Sequence, residues 1–184
     1  MKHIPALTLT ALAAAASAQT APAAAPAAKQ ELSYNRVIVQ SVIGDKAGDG
    51  ISVTGQAKLG HGLYVKASSF DGELGNSTSA VLGYAHGLTA VSGITSDLNI
   101  EVGAEQVGIG IRALVGFGLE IGVSYTEENQ VNQTVGFSAN YSLGQFVKGL
   151  ALNLDYTDGE SDDVALSGDR KNEQVTSIGL SYNF

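Results

Sequence analysis

The chain contains no cysteine, so neither a disulfide nor a thiolate metal site holds it together. Proline is confined to Pro5, Pro22 and Pro26. The proline-free remainder suits a continuous sheet, because every proline removes a ladder donor. Basic residues are scarce, with 10 Lys and Arg against 18 Asp and Glu. That balance excludes the basic face a nucleic-acid partner needs. Long apolar runs are missing too. Hydrophobic residues make up 44% of the chain, yet after residue 18 no run is long enough for a spanning helix. A mildly hydrophobic chain without such a helix is either a soluble β-protein or a membrane-spanning barrel.

What is present begins with an export pattern. Lys2 supplies a positive end, residues 4–16 are apolar, and Ala16-Ser17-Ala18 is a small-residue cleavage site. Residues 1–18 therefore read as a secretory signal peptide, and the Ala/Pro-rich residues 19–30 as an extended linker. Loss of the signal removes Lys2, leaving nine basic residues against 18 acidic ones, a net charge of −9. Residues 31–184 form the remaining domain.

Period-2 alternation recurs throughout that domain. Ile51, Val53, Ala57 and Leu59 oppose Ser52, Thr54, Gln56 and Lys58. Val107, Ile109, Ile111, Ala113 and Val115 oppose Gly108, Gly110 and Arg112. Similar patterns cover residues 97–104, 119–126, 134–143, 150–157 and 174–184. Less regular ones cover 31–43, 63–70 and 79–87. With 50–59 and 107–115 this predicts ten strands, and eight is the alternative. Two details are expected. The first is a two-residue turn at Glu105-Gln106. The second is a β-bulge near Arg36, which would reconcile Leu32 and Tyr34 with the opposite phase of Val37 and Val39.

Connections alternate in length. Short ones lie at 60–62, 116–118 and 144–149, and longer polar ones at 44–49, 71–78, 127–133 and 158–173. Short turns on one side and long loops on the other are the pattern of an outer-membrane barrel. Glu105-Gln106 and residues 88–95 depart from it. The polar faces carry Lys58, Lys66, Arg112, Glu101, Glu120 and Asp155, along with many glycines. On a soluble protein's solvent face those glycines would only weaken strands, whereas inside a narrow barrel they relieve crowding. The six charges are expected as a lumen network, since lipid would penalise each exposed Lys or Arg by about 2–4 kcal/mol. Aromatics near strand ends suggest two girdles. Tyr125 and Tyr156 mark one rim, and Tyr84, Phe117, Tyr141, Phe146, Tyr182 and Phe184 the other. The fold class expected is all-β: a transmembrane, antiparallel, up-and-down β-barrel.

The chain ends Ser177-Ile-Gly-Leu-Ser-Tyr-Asn-Phe184, with Ile178, Leu180, Tyr182 and Phe184 on one face. This terminal strand resembles that of bacterial outer-membrane β-barrels. Together with Leu32-Ser-Tyr-Asn35 and Leu82-Gly-Tyr-Ala-His86 leading to Ser96-Asp-Leu-Asn-Ile-Glu-Val-Gly103, it makes the domain resemble the small outer-membrane barrel superfamily, porin-like and opacity-protein-like. The resemblance implies a bacterial outer-membrane location and contact with lipid and lipopolysaccharide. It further implies that the closing strand is the signal read by the barrel-assembly machinery. The superfamily shares no catalytic residues. A monomer without cofactor is expected.

Little else points to chemistry. His3 lies in the signal, His61 in a short turn and His86 near a strand end, none at the outer rim. The long connections are acidic, most densely at Asp158, Glu160, Asp162 and Asp163. Oxygen-rich loops suit hard cations, so Ca²⁺ or Mg²⁺ binding there is a hypothesis, although EF-hand spacing is absent and a solvated, repulsive loop is the favoured reading. The function expected is a non-enzymatic, structural or surface-interaction barrel with at most narrow porin-like permeability. The alternative is a small-solute diffusion channel, and a rim hydrolase is a weaker one.

Overall fold

The structure is a computed structural model, and it describes residues 32–44, 48–73, 75–88, 94–128, 132–161 and 171–184. Ten strands form in chain order. They are β1 (Arg36–Gly44), β2 (Gly50–Gly60), β3 (Leu63–Gly72), β4 (Gly75–Gly87), β5 (Thr95–Gly103), β6 (Gln106–Val115), β7 (Leu119–Glu128), β8 (Asn132–Ser142), β9 (Leu150–Ser161) and β10 (Lys171–Asn183). Each pairs antiparallel with its chain neighbours, and β10 pairs with β1 to close a barrel. Strands of 9 to 13 residues match the length a tilted strand needs to cross a bilayer. Ten strands about 4.8 Å apart, tilted by about 40°, close a backbone cylinder roughly 20 Å wide.

The faces are inverted relative to a soluble protein. The exposed side chains include Ile43, Leu82, Val102, Val107, Ile111, Val123, Phe137, Leu154, Ile178 and Leu180. The buried ones include Gln40, Gln56, Asp97, Arg112, Asn140, Asn153 and Ser181. An apolar band this continuous on a water-exposed surface would be an aggregation hazard. Against hydrocarbon it is the expected exterior, and closure satisfies every strand edge. The molecule is a membrane-spanning β-barrel with a polar lumen.

Positive-φ residues make the short turns. Gly60, His61 and Gly62 have φ of 108°, 51° and 83°, and Phe117 and Gly118 have 57° and 77°. Glycine takes this region without strain. Phe117 and Phe146 stand exposed at these turns, with Phe184 at the end of the chain. Tyr84 and Tyr141 face outward near the same end, and Tyr125 near the other.

Four local expectations need correction. The longer connection expected at 71–78 is a tight turn, since β3 runs to Gly72 and pairs there with Gly75 of β4. No bulge occurs at Arg36, for β1 runs in unbroken register with both neighbours. Tyr34 points into the lumen, so its phase needs no reconciling. The register shift lies instead between Lys58 and Gly60. The β5–β6 hairpin turns at Ala104-Glu105, pairing Val102 with Val107, one residue earlier than expected. Finally, β9 extends to Ser161, so Asp158 and Glu160 lengthen a strand in place of the expected loop.

Candidate functional site: the charged constriction of the lumen

Charged side chains meet in the lumen near the end of the barrel that carries the short turns. Arg112 of β6 lies directly opposite Asp97 of β5 in register. Its Nη2 donates to Asp97 Oδ2 at 3.0 Å and its Nε to Oδ1 at 3.4 Å, while Nη1 donates to Glu120 Oε1 of β7 at 3.1 Å. The same Glu120 oxygen accepts from Arg36 Nη1 of β1 at 3.2 Å. Strands β1 and β7 are far apart around the ring, so this pair crosses the lumen. Arg36 Nε also donates to Gln56 Oε1 at 3.0 Å. The Arg112 and Asp97 side chains are 9% and 7% exposed, so each ion needs the other where water is scarce.

A second group continues the closure. Tyr64 of β3 donates its hydroxyl to Glu101 Oε1 at 2.8 Å, and Lys66 pairs with Glu101 Oε2. Tyr64, Gly83 and Glu101 lie in one register row across β3, β4 and β5. A Cβ on Gly83 would strike the Tyr64 ring, so glycine in the middle strand lets the tyrosine lie across it and reach β5. Gln40 of β1 likewise passes Gly179 of β10 and donates to Asp155 of β9. Asn140, Asn153 and Ser181 form a further polar group, with Asn140 Nδ2 donating to Asn153 Oδ1 at 2.7 Å.

Tyr34, just ahead of β1, completes the constriction. Its hydroxyl donates to Asp97 Oδ2 at 2.6 Å. The Arg112 guanidinium carbon sits 4.1 Å from its ring centroid. The Tyr64 ring lies 4.5 Å away at a 37° tilt. Toward the long-loop end a cavity of about 180 Å³ opens, lined by Arg36, Lys66, Glu101, Arg112 and Ser124 among others. It has room for several waters.

Of the six charges expected in the lumen, the structure brings Lys66, Glu101, Arg112, Glu120 and Asp155 into polar contacts there. Lys58 departs from that expectation. It is exposed at the rim and makes no ion pair among the described residues, and its backbone N–H donates to Asn35 Oδ1 at 2.7 Å. It sits beside the register shift, where the strand is already turning. Sequence reasoning missed Arg36, Asp97, Gln40, Tyr34 and Tyr64. Asp97 shares the phase of Asn99 and Glu101, and that signal was legible. Arg36 and Tyr34 were hidden by the supposed bulge, and Tyr64 by its aromatic character. Ile178 and Leu180 face outward on the closing strand, and Phe184 is exposed at its end. Asp162, Asp163 and the Glu160 side chain lie outside the described residues.

No protein-family profile and no curated protein matches the chain. Among solved structures the barrel is similar to the KdgM porin, at 12% identity and a TM-score of 0.46, covering 81% of this chain and 99% of that one. It is also similar to the KdgM porin in complex with disordered oligogalacturonate, at 12% identity and a TM-score of 0.43, with the same coverage. A third is OccAB2 of Acinetobacter baumannii, at 11% identity and 0.37, covering 84% of this chain and 60% of that one. Scores this low assign no function.

Proposed function

We propose that the chain is a bacterial outer-membrane β-barrel of porin-like character, non-enzymatic and monomeric, whose lumen passes at most small solutes. The carrying observation is the relay Asp97–Arg112–Glu120–Arg36, which spans the lumen from β5 to β1. Paired charges that meet across a lumen leave only a narrow path, and only much larger barrels keep a wide aqueous channel. In this reading residues 1–18 direct export, 19–30 link, and 31–184 form the barrel. The exterior contacts lipid and lipopolysaccharide. Ile178, Leu180, Tyr182 and Phe184 present the closing strand to the assembly machinery. Cation binding around Asp158, Glu160, Asp162 and Asp163 stays a hypothesis, testable by calorimetric titration with Ca²⁺.

Single-channel recording of refolded protein in a planar bilayer tests this function. Wild type is expected to show small or rare openings. Arg112→Ala, which removes the centre of the relay, is expected to enlarge them. Silence in both would leave a purely structural or surface-interaction barrel.

A further inference from the structure

Tyr34 differs from every other member of the constriction in how it is held. Asp97, Arg112, Tyr64 and Glu101 stand on strands fixed by ladder hydrogen bonds on both sides. Residues 32–35 belong to no strand. The segment is anchored at Asn35, whose carbonyl accepts from the Phe184 N–H at 3.1 Å and whose side chain accepts from the Lys58 N–H. Ahead of that anchor, the Ser33 hydroxyl bonds locally to the Asn35 backbone at 3.2 Å, and its one contact with a strand is a long 3.5 Å approach of Arg112 to its carbonyl. What holds Tyr34 in the lumen is its hydroxyl on Asp97, its ring under Arg112 and its tilted contact with Tyr64.

These contacts have a particular property. Asp97 and Arg112 are paired to each other, and Tyr64 is paired to Glu101, without help from Tyr34. Withdrawal of Tyr34 therefore leaves no buried charge unpaired. Loss of Arg112 would leave the buried Asp97 without its ion-pair partner and Glu120 with Arg36 alone, a costly state. The tyrosine is thus a large group at the constriction that can leave with the ion pairs intact, and unlike Tyr64 it stands on no strand. It also reaches far. It precedes β1 yet touches β5 and β6, which lie across the ring from β1.

We propose that residues 32–35 form an autoinhibitory plug, with Tyr34 as its key, that closes the lumen from the short-turn end and can withdraw without unfolding the barrel. The proposal rests on the porin-like reading and adds that its narrowness is removable. The segment pivots at Asn35. Its docked state is favoured by the phenol–carboxylate bond and the Arg112–Tyr34–Tyr64 stack, and its withdrawn state by conformational freedom and hydration.

Planar-bilayer recording of the refolded full chain tests it, comparing wild type with Tyr34→Ala, Tyr34→Phe and Arg112→Ala. Retention of the compact form on unheated gel electrophoresis checks that each variant folds. Tyr34→Ala is expected to raise unitary conductance about twofold or more, since a phenol ring is removed from beside the ion-pair relay. Tyr34→Phe keeps the ring and its packing but loses the bond to Asp97, so it is expected to open more often than wild type. Wild-type behaviour in both Tyr34 variants, with larger openings in Arg112→Ala, would overturn the plug and leave the porin-like reading standing. Silence in all four would overturn both.

Discussion

Gly83 lacks a side chain in the place that the Tyr64 ring occupies. The ring crosses β4 at that point to bring its hydroxyl to Glu101. Gly83→Ala is therefore a packing lesion. Either the Tyr64 ring moves and Glu101 loses a donor, or β4 shifts. Overpacking of this kind costs about 1–3 kcal/mol. The expected outcome is a lower urea midpoint for the refolded barrel in lipid vesicles. Gly55→Ala is a fit control, because a Cβ there meets no atom within 4 Å. Equal losses at the two positions would mean that strand propensity, and not the Tyr64 contact, is being measured.

At the scale of the element, each strand carries two solvents. Val123 and Ser124 are adjacent on β7, yet Val123 faces outward and Ser124 lines the lumen cavity. Val123→Lys places an ammonium in hydrocarbon and is expected to destabilise the barrel by about 2–4 kcal/mol if it lies near mid-depth. Ser124→Lys puts the same group in a wet cavity and is expected to cost much less. Urea unfolding of both variants in the same vesicles decides the point. If Val123→Lys is the better tolerated, the assignment of faces on β7 is wrong.

At the scale of the whole molecule the charges combine. The lumen contacts join Arg36, Lys66 and Arg112 with Asp97, Glu101, Glu120 and Asp155, one carboxylate in excess. The long connections are acidic as well, with Asp158 and Glu160 extending β9 beyond its aromatic Tyr156. A negative path and mouth concentrate cations. An open pore, obtained with Tyr34→Ala, is expected to prefer K⁺ to Cl⁻. The reversal potential in a KCl gradient measures this. A preference for Cl⁻ would show that the guanidinium groups on the cavity wall, and not the carboxylate excess, set the selectivity.

The alternation of side chains, together with the glycines and charges on its polar faces, determined the architecture. A period of two assigns every residue to one of two faces, and a ten-strand pattern ending in Ile178, Leu180, Tyr182 and Phe184 leaves a membrane barrel as the consistent fold. The inward phase of Lys66, Glu101, Arg112, Glu120 and Asp155 was legible for the same reason. Alternation is blind to a shift of two residues. The β5–β6 turn illustrates this, because Val107 can pair with Ala104 or with Val102 without altering a single face. The observed pairing with Val102 is a choice between registers of equal face chemistry. Which lumen charges meet was likewise beyond the pattern. Arg36 and Glu120 are 84 positions apart, and only closure of the ring sets them side by side. Periodicity placed Tyr34 in the first strand with Leu32, across a supposed bulge, whereas it lies ahead of β1 and the tertiary structure turns it into the lumen. Local alternation decides inside from outside, whereas strand stagger and barrel closure decide who meets whom.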